Sequence, residues 1–137
     1  MKTLLFLILP WLYAPNPHPT VGGPVVFIQQ DGPKNLTPQQ AAQLLKESPG
    51  VVILDVRTPT EFSSGHIKGA INVDYNSPTF QQQVARLDKT KPYLVHCAVG
   101  GRSTQSLPIL QKLGFTNVRH LDGGVKAWQQ AGLPLVK

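Results

Sequence analysis

The chain has 137 residues, 41% of them apolar, which is enough material for one domain with a hydrophobic core but hardly for two. Its net charge of +6 favours anionic partners, yet the lysines and arginines are spread without a basic run, so a small anion fits better than a nucleic acid. The single cysteine excludes an intramolecular disulfide and a zinc site of several thiolates, and the four histidines show no pair at metal-binding spacing. We therefore predict no metal and no cofactor.

The first 14 residues form an apolar leader. An apolar run over residues 4–9 follows the basic Lys2, is too short to span a bilayer, and has the pattern of a secretory signal peptide. Ala14 is the nearby small residue, although its neighbours suit cleavage poorly. We predict export, to the periplasm or outside the cell, if this segment is a signal peptide. Otherwise it is an extension that packs on the domain or on a neighbour, and the protein is cytoplasmic.

Residues 15–35 are predicted to be a linker. Seven of the thirteen prolines lie between residues 10 and 38, and a short strand over residues 25–28 is the only element expected within the linker. The regular pattern begins at Leu36, so we place the domain at residues 36–137.

Helices and strands alternate through this domain. Thr37 before Pro38 predicts one helix start, and Thr58 with Glu61 three residues later predicts another through a capping box. Apolar runs predict strands, and apolar periodicity predicts further helices. The strands are expected at residues 51–56, 70–73, 93–96 and 118–121, and the further helices at 80–87, 103–113 and 125–131. This alternation predicts an α/β domain with a mainly parallel sheet, in which sites lie at the carboxyl ends of strands. Pro108 falls inside one helix and predicts a kink.

The loop after the strand at residues 93–96 carries the residues with chemistry. Cys97 follows that strand directly, and four residues separate it from Arg102. Gly100 and Gly101 allow a tight turn in which successive N–H groups converge on an anion. The helix N-terminus and the arginine both favour a thiolate, so we expect a lowered pKa for Cys97 and a nucleophile near neutral pH. A buried structural cysteine, the alternative, would need neither the glycine pair nor the arginine.

Neighbouring candidates have structural interpretations as well. His96 is expected to be a packed strand residue, because adjacent strand residues point to opposite faces. Asp55 is expected to be structural, hydrogen-bonding the backbone of its loop near the site. Arg57 either helps to hold an anion or forms an ion pair with Glu61 or a neighbouring acid.

These residues resemble the single-domain rhodanese, or thiosulfate sulfurtransferase, family over about residues 36–137. Several motifs in order carry the resemblance: Leu54-Asp55-Val56-Arg57, Glu61-Phe62, Gly65-His66-Ile67 with Gly69-Ala70 and Asn72, the Cys97 loop, and Leu121-Asp122-Gly123-Gly124 with Trp128. The resemblance implies a rhodanese-like fold, a central parallel sheet flanked by helices on both faces, with the cysteine loop as the active site. Within it His66 is a framework residue and Trp128 a core residue, while residues 122–124 form a turn that either borders the pocket or is only a turn.

Loop length separates this family from related phosphatases and arsenate reductases, which have five residues between cysteine and arginine where this chain has four. The resemblance therefore implies that Cys97 takes the outer sulfur of thiosulfate or a similar donor, releases sulfite and holds a persulfide. A nucleophile such as a thiol or cyanide then accepts the sulfur. Arg102 would orient the anionic donor, and the loop backbone would stabilise the persulfide. The backbone donors would come from Ala98, Val99, Gly100, Gly101, Arg102 and Ser103.

Two other functions need the same loop. A sulfur-carrier or docking module would receive the persulfide sulfur from one protein and pass it to a protein acceptor, and the sequence leaves this alternative open. A phosphatase is disfavoured, because the short loop crowds a tetrahedral phosphate.

Overall fold

A computed structural model describes residues 34–137 of the chain. The predictions for the leader, for most of the linker and for a strand at residues 25–28 lie outside the described residues. No helix within the described part is both long and apolar enough to cross a bilayer.

Strands and helices alternate without exception through the described residues. All strand pairs are parallel, in the order β1-β5-β4-β2-β3 across the sheet, which confirms the predicted α/β class. The elements are β1 (Lys34–Leu36), α1 (Pro38–Glu47), β2 (Val52–Asp55), α2 (Pro59–Ser64), β3 (Ile71–Asn72), α3 (Phe80–Ala85), β4 (Tyr93–His96), α4 (Gly101–Lys112), β5 (Val118–Leu121) and α5 (Gly124–Gln130).

The sheet has a hydrophobic core on each face. On one face, Val95 of β4 belongs to a cluster with Val84 of α3 and Leu110 of α4. On the other face, Leu94 of the same strand belongs to a cluster that includes Trp128 of α5. Consecutive residues of β4 therefore serve opposite cores, as expected for a strand buried on both sides. Helices cover both faces of the sheet, as the resemblance implied.

The predicted capping box of α2 is present, and the predicted N-cap of α1, Thr37, belongs to a second capping box. Thr37 Oγ1 accepts the Gln40 amide at 3.3 Å, and Thr58 Oγ1 accepts the Glu61 amide at 3.3 Å. In return, the side chain of the fourth residue accepts the threonine amide in each box. Such caps each stabilise a helix start by about 1 kcal/mol, so these local signals fix where α1 and α2 begin.

The first strand was not predicted. Lys34 and Asn35, which we placed in the linker, belong to β1 and pair with Arg119 and His120 of β5. Only Leu36 of this strand is buried, so no apolar run marks it in the sequence. Its place at the edge of the sheet explains the polar composition, since an edge strand is covered less than a central one.

β4 and β5 have the predicted bounds, and the other predicted boundaries differ by at most two residues. α4 begins at Gly101, two residues before the predicted start, and Gly100 precedes it with φ +111°. Glycine tolerates that backbone angle, so the turn closes within the loop itself. α4 runs without interruption through Pro108, and Trp128 is buried as predicted. The kink stays a prediction.

Replacing Pro108 with alanine should stabilise the protein by about 2 kcal/mol, because the proline is exposed and removes a backbone hydrogen bond in the middle of α4. Urea unfolding of Pro108→Ala would measure the change. Pro38→Ala is the matched control, because Pro38 occupies the first turn of α1, where no amide partner is lost. It should give no gain, and equal effects at the two positions would contradict the explanation.

Candidate active site

The site forms where β4 ends beside β2. Asp55 of β2 is in register with His96 of β4, and Cys97 follows His96 directly. The loop then runs to Gly101, where α4 begins. This is the carboxyl edge of a parallel sheet, where the alternation of strands and helices places sites.

The sulfur of Cys97 is buried and surrounded by donors. The residue is 1% exposed, the Gly100 amide donates to Sγ at 3.1 Å, and the Ser103 hydroxyl lies 3.4 Å from Sγ. Burial acts most strongly on the pKa of Cys97 and raises it, but hydrogen bonds from Ser103, Gly100 and Val99 together outweigh burial. The net pKa is below the ordinary cysteine value, in the direction that the sequence predicted.

Two carbonyls of the loop, those of Cys97 and Ala98, point toward the start of α5. The Val125 amide donates to Cys97 O at 2.9 Å, and the Lys126 amide donates to Ala98 O at 3.0 Å. Gly124 adopts φ +60°, and a Cβ there would lie 2.4 Å from Cys97 O. Of the two interpretations of residues 122–124, the structure supports a turn that borders the site, since the cysteine loop rests on Gly124.

Gly124→Ala should therefore destabilise the protein by about 3–5 kcal/mol, through a left-handed backbone angle and a clash with the loop carbonyl. Gly132→Ala is the matched control. Gly132 also has a positive φ of +74°, but a Cβ there meets nothing within 4 Å, so only the backbone cost of about 1–2 kcal/mol remains. Denaturant unfolding compares the two variants, and similar losses would rule out the clash.

Arg102 forms a two-pronged ion pair with Glu61. Its Nη1 donates to Glu61 Oε2 at 2.8 Å and its Nη2 to Oε1 at 2.7 Å. The Arg102 guanidinium lowers the pKa of Glu61 to about 2. Glu61 was expected to cap α2 and was a possible ion-pair partner of Arg57; it caps that helix and pairs with Arg102 of the loop instead. The positive charge of Arg102 is thus shared with a carboxylate before any anion arrives.

Arg57 is paired with Asp55, not with Glu61. Arg57 Nη2 donates to Asp55 Oδ2 at 2.7 Å and to the Gly65 carbonyl at 2.8 Å. Asp55 also accepts the Arg57 amide at 3.0 Å, which is a hydrogen bond to the backbone of the loop after β2. Because both side chains are buried, the geometry favours a bracing role for Arg57 over a role in holding an anion.

His96 is packed inside the sheet, as predicted. It is fully buried, its Nδ1 lies 3.3 Å from Cys97 O, and its Nε2 lies 3.8 Å from Asp55 Oδ2 without a hydrogen-bond partner in the described part of the chain. Burial lowers the pKa of His96, with Asp55 acting in the opposite direction. A ring held this way is a structural histidine, and within the described residues none of its hydrogen bonds reaches the sulfur.

Stability should depend on this histidine at mildly acidic pH. His96 and His120 have pKa values below the ordinary 6.5, so the unfolded chain takes up protons first as the pH falls. The free energy of unfolding should decrease from pH 6.5 downward, whereas Glu61 contributes a loss only below its ordinary pKa of 4.5. Urea unfolding between pH 7.5 and 5 tests this on the wild type and on His96→Leu, which should show a shallower slope. Identical slopes would contradict the assignment.

Two more predicted framework residues have clear partners. His66 stacks on Phe62 with ring centroids 3.8 Å apart, and Trp128 Nε1 donates to Pro134 O at 2.9 Å. Within residues 34–137, no three histidine, cysteine, aspartate or glutamate side chains are grouped as metal ligands would be.

One contact at the site was not predicted from the sequence. Ser103 Oγ lies 2.8 Å from His120 Nε2, and His120 Nδ1 lies 3.1 Å from Asn35 Oδ1. His120 lies on β5, directly beside the cysteine strand, and it is buried. The signal that could have revealed it is a polar residue at an inward position of a strand next to the nucleophile.

Comparison with known proteins identifies the family. The sequence model described as "Rhodanese-like domain" matches residues 37–131, which is more than half of the chain. The chain belongs to the rhodanese family. It is 43% identical over 91 residues to thiosulfate sulfurtransferase 16, chloroplastic, of Arabidopsis thaliana, covering 59% of this chain and 76% of the relative. It is 35% identical over 96 residues to thiosulfate sulfurtransferase GlpE of Ectopseudomonas mendocina, covering 70% and 84%.

Solved structures agree with this membership. The crystal structure of a rhodanese-like domain protein from Staphylococcus aureus matches with a TM-score of 0.64 at 30% identity, covering 76% of this chain and 99% of that one. The rhodanese fold predicted from the sequence is thereby confirmed.

Proposed function

We propose that this rhodanese is a sulfurtransferase that moves a sulfane sulfur from thiosulfate or a similar donor to a nucleophilic acceptor through a persulfide on Cys97. The observation that carries the proposal is the environment of the sulfur. A buried thiol with a lowered pKa, an amide at 3.1 Å and a hydroxyl at 3.4 Å is suited to hold negative charge on sulfur. The relatives named as thiosulfate sulfurtransferases support the same activity.

In the first step the Cys97 thiolate attacks the outer sulfur of thiosulfate. A bond forms between Sγ and that sulfur, the S–S bond of thiosulfate breaks, and sulfite leaves with the electron pair. The product is a persulfide whose charge lies on the terminal sulfur. Backbone amides of the loop, of which Gly100 is the closest to Sγ, are the donors available to stabilise it.

In the second step an acceptor such as cyanide or a thiolate attacks the terminal sulfur. The S–S bond of the persulfide breaks and the electron pair returns to Sγ, which regenerates the thiolate. Sγ itself is hard to reach, since Cys97 is 1% exposed. In the persulfide the reactive atom is the terminal sulfur, one S–S bond of about 2 Å beyond Sγ. The acceptor then meets a sulfur that is closer to the surface than Sγ itself.

Arg102 supplies the positive charge near the sulfur. Cys97 is among the groups that raise its pKa, after the stronger effect of Glu61. In this proposal a thiosulfate dianion competes with Glu61 for the guanidinium. The ion pair with Glu61 holds Arg102 in position, and the arginine can exchange this carboxylate for the donor. Arg102 thus orients the donor, as the resemblance implied.

Intact-mass analysis after treatment with thiosulfate tests the proposal. We expect a gain of one sulfur atom that cyanide removes, because Cys97 is the only cysteine and its thiolate is favoured. Cys97→Ser should gain nothing. If the wild-type thiol reacts with iodoacetamide but the mass does not change with thiosulfate, the proposal fails.

A sulfur-carrier function is the second candidate, and the exposure of Val99 favours it. This apolar side chain at the tip of the loop is 62% exposed, and it would gain free energy from contact with a protein surface but not from a small anion. Val99→Ser discriminates between the two. It should leave thiosulfate-to-cyanide turnover unchanged if the acceptor is small, and it should slow transfer to a protein acceptor if the function is that of a carrier.

A further inference from the structure

The Ser103 hydroxyl has more acceptors than it can serve. It lies 2.8 Å from His120 Nε2, 3.1 Å from Gly100 O and 3.4 Å from Cys97 Sγ. A serine has one hydroxyl proton, and Ser103 is fully buried, so bulk water does not supply a second donor. Whether Sγ receives a hydrogen bond from Ser103 therefore depends on whether His120 Nε2 or Gly100 O accepts the hydroxyl proton instead.

The histidine ring is the acceptor whose state can change. Asn35 presents Oδ1, an acceptor, to His120 Nδ1 at 3.1 Å, so Nδ1 carries a proton. In the neutral ring Nε2 is then bare and accepts the Ser103 proton over the shortest of the three contacts. When Nε2 is protonated, it becomes a donor to Ser103 Oγ, and the serine proton is free for Gly100 O or for the sulfur. Of these two acceptors a thiolate is favoured, because it is charged.

We propose that His120 is a positioning residue for the nucleophile: by taking or returning the hydroxyl proton of Ser103, its ring decides whether Ser103 donates a hydrogen bond to Cys97 Sγ. This inference rests on the proposed function only in making Cys97 the nucleophile. Cys97, Ser103, His120 and Asn35 form a continuous chain of hydrogen-bonding groups from the loop to the edge strand β1.

Proton transfer along this chain accounts for how the thiolate forms. The S–H bond of Cys97 breaks as its proton passes to Ser103 Oγ, and the original Ser103 proton passes to His120 Nε2. The result is a thiolate on Cys97 that accepts a hydrogen bond from Ser103, and an imidazolium on His120. Attack on the donor turns Sγ into a neutral sulfur with two bonds. Sγ needs the hydrogen bond from Ser103 again only when the second step regenerates the thiolate.

The charges around His120 are compatible with both ring states. Burial lowers its pKa, and Asp122 at the end of β5 acts in the opposite direction. The groups of neighbouring elements around His120 are His96 on β4, the thiol of Cys97, Ser103 on α4 and the neutral Asn35 on β1. Arg102, next to Ser103 in the chain, is paired with Glu61. Burial thus favours the neutral ring while Cys97 carries its proton, and a thiolate nearby favours the protonated ring.

The test measures both ends of the chain as a function of pH. The rate of Cys97 alkylation by iodoacetamide reports the thiolate, and the NMR signals of the His120 ring report the histidine. Because interacting groups share their macroscopic titration steps, we expect both probes to show the same two transitions. Alkylation of wild-type Cys97 should remove one transition from the His120 signals. A single transition that is unaffected by alkylation would overturn the proposal, and this arm needs no variant.

Variants test the link through the serine. Ser103→Ala should slow alkylation at pH 7 by about tenfold, since a hydrogen bond to the thiolate is lost, and should leave one transition in the rate profile. Ser103→Thr keeps a hydroxyl and should restore both. Ser106→Ala, which removes another buried hydroxyl of α4 that donates to Ser103 O, is the matched control and should behave as wild type. If both alanine variants keep two transitions, Ser103 is not the link.

His120→Leu should likewise reduce the alkylation profile to one transition, and an unchanged two-step profile would overturn the role of the ring. Neither probe uses thiosulfate. A protein that gains no sulfur but shows the shared transitions would therefore refute the proposed sulfur transfer while supporting the role of His120.

Discussion

The site depends on a constraint of the peptide backbone: a loop that turns its amides toward one atom must turn carbonyls elsewhere, and buried carbonyls need donors. In this protein the amide side of the loop faces Cys97 Sγ, and the carbonyls of Cys97 and Ala98 accept hydrogen bonds from amides in the first turn of α5. The start of α5 is therefore part of the sulfur site, although it contributes no side chain to it. Gly124 makes this contact feasible, because only a residue without a Cβ fits against the loop.

The two arginines near the site form ion pairs that differ in burial, and their roles differ accordingly. Arg57 is almost fully buried with Asp55, and such a pair holds its loop because removing either partner would leave an uncompensated charge. Arg102 and Glu61 are a quarter to a third exposed, so their attraction is screened by water and contributes less to stability. That weakness suits the proposed function, in which the arginine exchanges Glu61 for an anionic sulfur donor.

Local signals in the sequence predicted much of the fold and the centre of the site. The helix starts at Thr37 and Thr58 are capped by residues three positions away, and the strand before Cys97 is an apolar run. Such elements can be predicted from residues that are close in the sequence. The contacts that could not be predicted join distant parts of the chain. Arg102 meets Glu61 across 41 positions and His120 meets Asn35 across 85. Their partners are set by the strand order, in which β1 lies next to β5, and no local pattern encodes that order.

The burial of Cys97 also limits which molecules can capture its sulfur. A disulfide requires the Cβ atoms of its two cysteines to approach within about 4 Å. A thiol that is 1% exposed does not offer that approach to a cysteine on the surface of another folded protein. The thiol is therefore shielded from cross-linking to other proteins, and in the proposed transfer from thiosulfate only a small sulfur compound has to reach it.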